Sequence, residues 1–190
     1  MSDPKIISTM EFPTKSGGST DETFDWNFVK TLLDKEFHRR AEYVTKIVMA
    51  FKERYGDEAF DLARQTIYNI GYEKGQKRAK IAEENGETIS LENLAGQVAH
   101  KVSRLYFGTD PKVEGEKLVV RESYCPLPLK WKEMGFNDKE IVELCLMFDQ
   151  VDKGMAEGYN AEWTADLTGC RTLAEKGYCQ MVVRKKSQTA

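Results

Sequence analysis

The stretch NDKEIVELCLMFDQVDKGMAEGY, residues 137–159, predicts a helix with one face in the protein interior. Asn137 or Asp138 can cap the start of this helix, and Glu140 is placed as in a capping box. Its apolar residues recur at helical spacing, while the charged residues gather on the opposite face. An amphipathic helix of this kind needs a partner layer, which the rest of the chain must supply.

The rest of the chain predicts helices first and strands afterwards. Apolar residues at helical spacing predict helices at about 25–55, 57–84 and 91–107. The segment EKLVVRESYCPLPL, residues 116–129, predicts a strand that its two prolines end, and residues 161–186 predict two strands around a turn at Lys176–Gly177. We therefore predict an α+β fold, in which a helical N-terminal half packs on an antiparallel sheet formed mainly by the C-terminal half.

Composition and charge limit the classes of function. The chain has 190 residues, of which 41% are hydrophobic and 31% charged, as in an ordinary globular protein. A net charge of -3 argues against nucleic-acid binding, and no apolar run is long enough to span a membrane. Residues 1–23 are polar and do not form a signal peptide, so we expect a flexible tail there, a single domain at 24–186 and a cytoplasmic protein.

The four cysteines are expected to be thiols in that compartment. They are Cys125, Cys145, Cys170 and Cys179, and no Cys-x-x-Cys pair occurs among them. Structural zinc sites usually have short paired spacings, so we expect no metal, and nothing in the sequence indicates a cofactor.

Two carboxylates lie on the apolar side of the helix at 137–159. Asp149 and Asp152 follow Cys145 at steps of four and three residues, so the three side chains form one stripe. Burying a carboxylate costs several kcal/mol unless it is paired, and two neighbouring carboxylates tend to keep one proton. A functional pocket is the favoured interpretation; the alternative is that Arg121, Arg171 or backbone amides hold the aspartates and so tie the helix to the sheet.

Two further features have both a functional and a structural interpretation. Cys125 stands at the end of a predicted strand, where nucleophiles often occur, but a single cysteine is more often a small core residue. Gly71, Gly75 and Ala79 are spaced by four residues in the second helix. Close helix packing is favoured for them over space for a ligand.

Three segments of the C-terminal half resemble one known family: YCPLPLKWKEMG (124–135), ELCLMFDQVDKGMAEGYNAEW (143–163) and LTGCRTLAEKGYCQMVV (167–183). Together with IGYEKGQKRA (70–79), they are similar to the L-2-amino-thiazoline-4-carboxylic acid hydrolase family over most of residues 25–185. The ending also resembles the 4-vinyl reductase-like ligand-binding domain and its transport-particle relatives. This wider group implies helices packed on an antiparallel sheet, in agreement with the sequence pattern.

The positions that match the family pattern are Cys125, Cys145, Asp149, Asp152, Gly169, Cys170, Gly177 and Cys179. The usual Gly-Asp before the last cysteine stands here as Gly177-Tyr178, which removes a third carboxylate. The resemblance implies a hydrolase acting on a carbon–nitrogen bond of a cyclic amidine. The named reaction opens 2-amino-thiazoline-4-carboxylate to N-carbamoyl-cysteine.

A mechanism for this reaction needs an acid or base, a nucleophile and a group that binds the substrate. Our catalytic candidates are Asp149, Asp152, Cys125 and Cys145. One aspartate would protonate or hydrogen-bond the amidine, while a cysteine attacks it or the second aspartate activates water. Arg121 would bind the substrate carboxylate. The other substrate-binding candidates are Tyr124, Trp163, Cys170 and Cys179.

The alternative is a small-molecule-binding domain without catalysis. A pocket between the helices and the sheet would then hold the ligand, with the aspartates as anchors. In either case the partner is a small molecule, with neither nucleic acid nor membrane. A homodimer is a further expectation, because the first helix has apolar residues on more than one side, such as Val29 and Val48 against Leu33 and Phe37.

Overall fold

A computed structural model describes residues 25–167 and 178–186. Within these ranges the helices are α1 (Trp26–Tyr55), α2 (Asp57–Glu84), α3 (Leu91–Val98), α4 (Lys101–Phe107), α5 (Pro126–Glu133), α6 (Asp138–Phe148) and α7 (Gln150–Tyr159). The strands are β1 (Asp110–Glu114), β2 (Lys117–Glu122), β3 (Trp163–Leu167) and β4 (Cys179–Lys185). The predicted tail and the predicted turn at Lys176–Gly177 lie outside the described residues.

The strands form one antiparallel sheet in the order β1-β2-β4-β3. The last strand of the chain therefore lies inside the sheet, between β2 and β3. Leu118 of β2 pairs with Val183 of β4, and both side chains are fully buried. The predicted α+β fold, with helices before an antiparallel sheet, is confirmed.

The two long helices begin and end close to where the sequence predicts. The side chain of Asp25 caps α1 by accepting a hydrogen bond from the amide of Asn27, at 2.9 Å. Gly56 separates α1 from α2 with a φ of 77°, a conformation that favours glycine. The predicted capping box of α6 is also present, between Asn137 and Glu140.

Three predicted elements differ from the structure. The helix predicted at 91–107 is two helices, because His100 starts α4 by accepting from the amide of Ser103 at 3.3 Å. The predicted strand at 116–129 ends at Glu122, and Pro126 begins α5, since the fixed φ of proline suits a first helical turn. The helix predicted at 137–159 is divided at Asp149 into α6 and α7. β1 was not predicted, and it is a half-exposed strand that contains Pro111.

Two apolar clusters hold these elements together. The first joins α1, α2, α5 and α6 around Trp131, and the second joins the sheet to α3 and α7. In the first cluster the indole Nε1 of Trp131 donates to Thr45 Oγ1 at 2.9 Å, and both residues are fully buried. No helix among the described residues has the length and apolar character to cross a membrane.

We expect Thr45→Val to lower the free energy of unfolding by about 1–3 kcal/mol, because it leaves the buried indole N–H of Trp131 without an acceptor. Urea unfolding measures this change. The matched control is Thr66→Val, whose hydroxyl bonds only to the carbonyl of Leu62 on an exposed helix face. Equal effects of the two substitutions would contradict the importance of the Trp131 hydrogen bond.

α2 and α7 pack closely through glycines on both helices. Gly71 and Gly75 of α2 face the backbone of α7, and Gly154 and Gly158 of α7 face the backbone of α2. A Cβ atom at any of the four would come within 3.0 Å of backbone atoms of the other helix. The close-packing interpretation of the small residues in α2 is therefore confirmed, and the interpretation as space for a ligand is wrong at Gly71 and Gly75.

Candidate functional site

Five polar side chains meet where the sheet ends beneath α7, and we call them the acidic–thiol cluster. Its members are Glu122, Cys125, Asp149, Asp152 and Cys179. Glu122 ends β2 and lies directly opposite Cys179, the first residue of β4. Cys125 follows at the N-terminus of α5. Asp149 stands at the junction of α6 and α7, and Asp152 is in the first turn of α7.

The two thiols of the cluster are hydrogen-bonded to each other. This bond lowers the pKa of Cys179 and raises the pKa of Cys125, since the pair gives up one proton more readily than the second. Burial and the nearby Glu122 also raise the pKa of Cys125. Both cysteines are half-buried free thiols. The pair can therefore carry one negative charge. The negative charge of Glu122 repels it and so opposes its formation.

The two aspartates resist ionisation because protein surrounds them. Burial raises the pKa of Asp149 well above its usual range, and the charges of Asp152, Cys179 and Glu122 raise it further. Burial also raises the pKa of Asp152, to about 6. Both residues as a whole are half-buried. The aspartates are thus sheltered from solvent and still within its reach, as acid and base groups need to be.

Glu122 is a third carboxylate of the cluster. Burial, followed by the charge of Asp152, raises the pKa of Glu122 to about 7, while a hydrogen bond with Thr109 opposes the rise. The Oγ1 of Thr109 lies 3.3 Å from Glu122 Oε1. A carboxyl with a pKa near 7 can both accept and return a proton at neutral pH, so Glu122 is a candidate general base.

Two cations of α2 face the cluster across the glycine contact. Arg78 and Lys74 both act on Asp152 and oppose the rise of its pKa. The Nη1 of Arg78 is buried and has no hydrogen-bond partner within the described part of the chain. A buried guanidinium nitrogen without an acceptor costs free energy, so this atom is ready to receive an anionic ligand group.

The structure brings together four residues that the sequence singled out: Asp149, Asp152, Cys125 and Cys179. Cys145 is different, because it is disulfide-bonded and buried in the first apolar cluster. The expectation of a thiol at Cys145 is therefore wrong, and a disulfide sulfur does not serve as the attacking thiolate. Cys170, the remaining cysteine candidate, lies outside the described residues.

Tyr124 has a structural partner on α1. Its hydroxyl donates to Asp34 Oδ1 at 2.6 Å, and the hydroxyl of Tyr106 donates to the same oxygen at 2.8 Å. Burial and these bonds raise the pKa of both phenols. Lys30 lies 4.8 Å above the Tyr124 ring. Tyr124 thus fixes the segment before Cys125 against α1, and its role toward a substrate stays a prediction.

Arg121 and Trp163 lie apart from the cluster. Arg121 donates from Nε to Gln180 Oε1 at 3.3 Å, and its guanidinium lies over the ring of Tyr178, with 5.1 Å to the centroid. The alternative interpretation supposed that Arg121 holds Asp149 and Asp152, but its partners are Gln180 and Tyr178 instead. Trp163 pairs with Lys185 at the far end of β4 from Cys179, and it packs in the second apolar cluster.

Two residues of the site were not singled out from the sequence. Glu122 follows Leu118 and Val120 at steps of two, which places it on the core-facing side of β2. That alternation was the signal that could have revealed Glu122. Arg78 had no comparable signal, because only the packing of α2 on α7 brings it to Asp152.

The cluster does not have the arrangement of a metal site. Over residues 25–167 and 178–186, no three side chains of histidine, cysteine, aspartate or glutamate are arranged to hold a metal ion. The cluster offers carboxyl groups that can exchange protons, a thiol pair, and a buried guanidinium nitrogen without an acceptor.

Comparison with known proteins identifies the family of this chain. A sequence model of the L-2-amino-thiazoline-4-carboxylic acid hydrolase family matches residues 36–182. This range includes all five members of the cluster and Arg78. No curated protein matches the chain.

A solved structure has the same fold. It is a trafficking protein particle complex subunit 3 from Naegleria fowleri, covalently bound to palmitic acid. The sequences are 14% identical, the match covers 84% of this chain and 96% of that chain, and the TM-score is 0.50. At this identity the likeness concerns the fold alone.

Proposed function

We propose that this chain, which belongs to the L-2-amino-thiazoline-4-carboxylic acid hydrolase family, hydrolyses a small cyclic amidine at the acidic–thiol cluster. The observation that carries the proposal is the set of three sheltered carboxyl groups beside the buried Nη1 of Arg78. The family description supports a hydrolase in general. The charged groups of the cluster support a cyclic amidine that carries a carboxylate as the substrate.

The charges of the site suit the two ends of such a substrate. A protonated cyclic amidine is a cation, and Asp152, whose pKa of about 6 leaves it ionised at neutral pH, offers it an anionic acceptor. A substrate carboxylate is an anion, and the free Nη1 of Arg78 offers it a donor. Arg78 is therefore a better candidate for this role than Arg121, whose guanidinium is engaged by Gln180 and Tyr178.

Atom balance decides which bond of the named substrate breaks. Both nitrogens attached to the amidine carbon of 2-amino-thiazoline-4-carboxylate are retained in N-carbamoyl-cysteine, and the ring sulfur becomes a thiol. Water therefore adds to the amidine carbon and the carbon–sulfur bond breaks. The carbon–nitrogen cleavage inferred from the family resemblance does not balance for this product.

The cluster can perform this reaction in two steps. Glu122 takes a proton from water as the oxygen bonds to the amidine carbon, and the carboxylate of Asp152 stabilises the positive charge on nitrogen. Glu122 returns that proton to the departing sulfur as the carbon–sulfur bond breaks, and the new hydroxyl releases its own proton to water as it becomes a carbonyl. The thiol pair of Cys125 and Cys179 lines the site, and its reaction with a thiol reagent can report on the site.

The proposal is tested by incubating the purified protein with 2-amino-thiazoline-4-carboxylate. Mass spectrometry should show a product heavier by one water, and a thiol reagent should detect one new thiol per turnover. A product with one water but no new thiol would contradict carbon–sulfur cleavage. Absence of any product would show that 2-amino-thiazoline-4-carboxylate is not a substrate.

We expect Arg78→Ala to raise KM for a carboxylated substrate by about 10–100-fold, with kcat little changed, because a contact made equally before and during reaction affects binding. Steady-state kinetics measures both constants. The control is Arg64→Ala, since Arg64 is on the same helix and has its own ion pair with Asp61. An unchanged KM for Arg78→Ala would exclude Arg78 from substrate binding.

A second candidate function is a small-molecule-binding domain without catalysis. The observation in its favour is the shared fold with a trafficking protein particle complex subunit described with covalently bound palmitic acid. By analogy, Cys125 or Cys179 would be an attachment point. Three carboxylates around these thiols suit an acyl chain poorly, so we favour hydrolysis.

Intact-protein mass spectrometry separates the two functions. A binding domain of that kind should carry an added acyl mass that hydroxylamine removes from a thioester. A hydrolase should have its unmodified mass, and its thiol pair should react faster with iodoacetamide than unperturbed thiols do.

A further inference from the structure

An apolar ridge on α1 is exposed along the second half of the helix. Its members are Tyr43, Ile47, Phe51 and Tyr55, which we call the α1 ridge. Their exposed fractions are 59%, 57%, 52% and 57%, although apolar side chains of this size are usually buried. Ile47 follows the fully buried Thr45 by two residues, or about 200° around the helix, so the ridge points away from the core.

We propose that the α1 ridge binds the α1 ridge of a second copy of this chain, related by a two-fold axis. The four residues are evenly spaced by four, so the ridge is symmetric about residue 49. An antiparallel pair places Ile47 against Phe51 of the second copy and Tyr43 against Tyr55 of the second copy. Each contact occurs twice, as an interface between identical surfaces requires.

The geometry of the ridge defines how the helices cross. Residues at steps of four form the row that packs best when two helices cross at about −50°. Ile47 and Phe51 are the two central members of this row, so they lie nearest the crossing point.

The ridge is also ordered before any partner arrives. The rings of Phe51 and Tyr55 stack with centroids 5.9 Å apart, and the guanidinium of Arg54 lies 5.4 Å from the Tyr55 centroid. Aromatic and arginine side chains held in this way lose little freedom on binding, which is typical of residues that dominate the energy of an interface.

The exposed area is in the range that a dimer requires. Large apolar and aromatic side chains have about 200 Å² of surface, so four that are half exposed offer about 400 Å². A standard interface buries ~800 Å² per partner, of which somewhat more than half is apolar, so the ridge supplies most of the apolar area that such an interface needs.

Sedimentation of the full chain at micromolar concentration tests the proposal. The wild type should be a dimer, and Ile47→Glu should raise the dimer dissociation constant by about 100-fold, about tenfold for each of the two symmetric contacts. The control Ile81→Glu changes an isoleucine that is 46% exposed at the far end of α2, and it should leave the dimer intact. A monomeric wild type would overturn the proposal.

Cross-linking tests the register. Ile47→Cys lies within one helical turn of the two-fold axis, so a short bismaleimide should join two such thiols of one dimer by thiol addition. Glu73→Cys, on the exposed face of α2, should not cross-link. Equal cross-linking of both variants, or a dimer that Ile47→Glu leaves unchanged, would overturn the α1 ridge as the interface. Neither result depends on the proposed hydrolysis.

Discussion

Glu122→Gln is expected to lose turnover by a factor of about 100–10,000 and, at the same time, to gain stability above pH 7. The loss of turnover follows from the proposed role of Glu122 as the base that takes a proton from water. The gain in stability follows from its position, because folding places this carboxyl where ionisation is unfavourable. A purely structural glutamate would not combine the two effects.

The sign of the pH dependence is fixed by the raised pKa. The folded protein holds a proton on Glu122 up to about pH 7, whereas the unfolded chain releases it near the ordinary value of 4.5. Between these values the folded state binds more protons, so stability falls as pH rises from about 4.5 to 7. Glutamine resembles the protonated form and avoids this loss, which amounts to up to about 3 kcal/mol.

Thermal or urea unfolding of wild type and Glu122→Gln at pH 4.5 and pH 8 measures the effect. The two proteins should be nearly equal at pH 4.5, and the variant should be the more stable at pH 8. The control is Glu114→Gln, an exposed position in β1, which should change neither activity nor stability. Full activity of Glu122→Gln would remove Glu122 from the mechanism, and a variant less stable at pH 8 would contradict the sheltered carboxyl.

Gly154→Ala is expected to destabilise the protein by about 3 kcal/mol or more, the largest structural effect that we predict. The added methyl would come within 3.0 Å of the Tyr72 amide nitrogen, with the Tyr68 carbonyl oxygen closer still. These are backbone atoms of α2, so no side chain can turn away to make space. The two helices would have to separate.

Separation of α2 from α7 should also damage the candidate site, since Arg78 is on one helix and Asp152 on the other. Loss of activity in the fraction of Gly154→Ala that still folds would show this dependence. The control is Gly96→Ala in α3, where an added Cβ meets no atom within 4 Å. This second variant should keep its stability, or gain up to about 1 kcal/mol from the better helix former. Equal stability of the two variants would contradict the close contact.

The sequence by itself determined the order and class of the elements. Helical spacing of apolar residues, together with Gly56, placed α1 and α2, because local periodicity and chain breaks depend only on near neighbours. The same periodicity placed Asp149 and Asp152 on the inner side of their helix. The family resemblance then identified the hydrolase family that matches residues 36–182.

The tertiary structure decided what those aspartates meet. Glu122 comes from a strand and Cys179 from the last strand, so only the register of β2 with β4 brings them together. Arg78 reaches the cluster only because glycines let α2 and α7 approach. Such contacts join residues far apart in the chain, and their geometry depends on the packing of whole elements, which local sequence patterns do not encode.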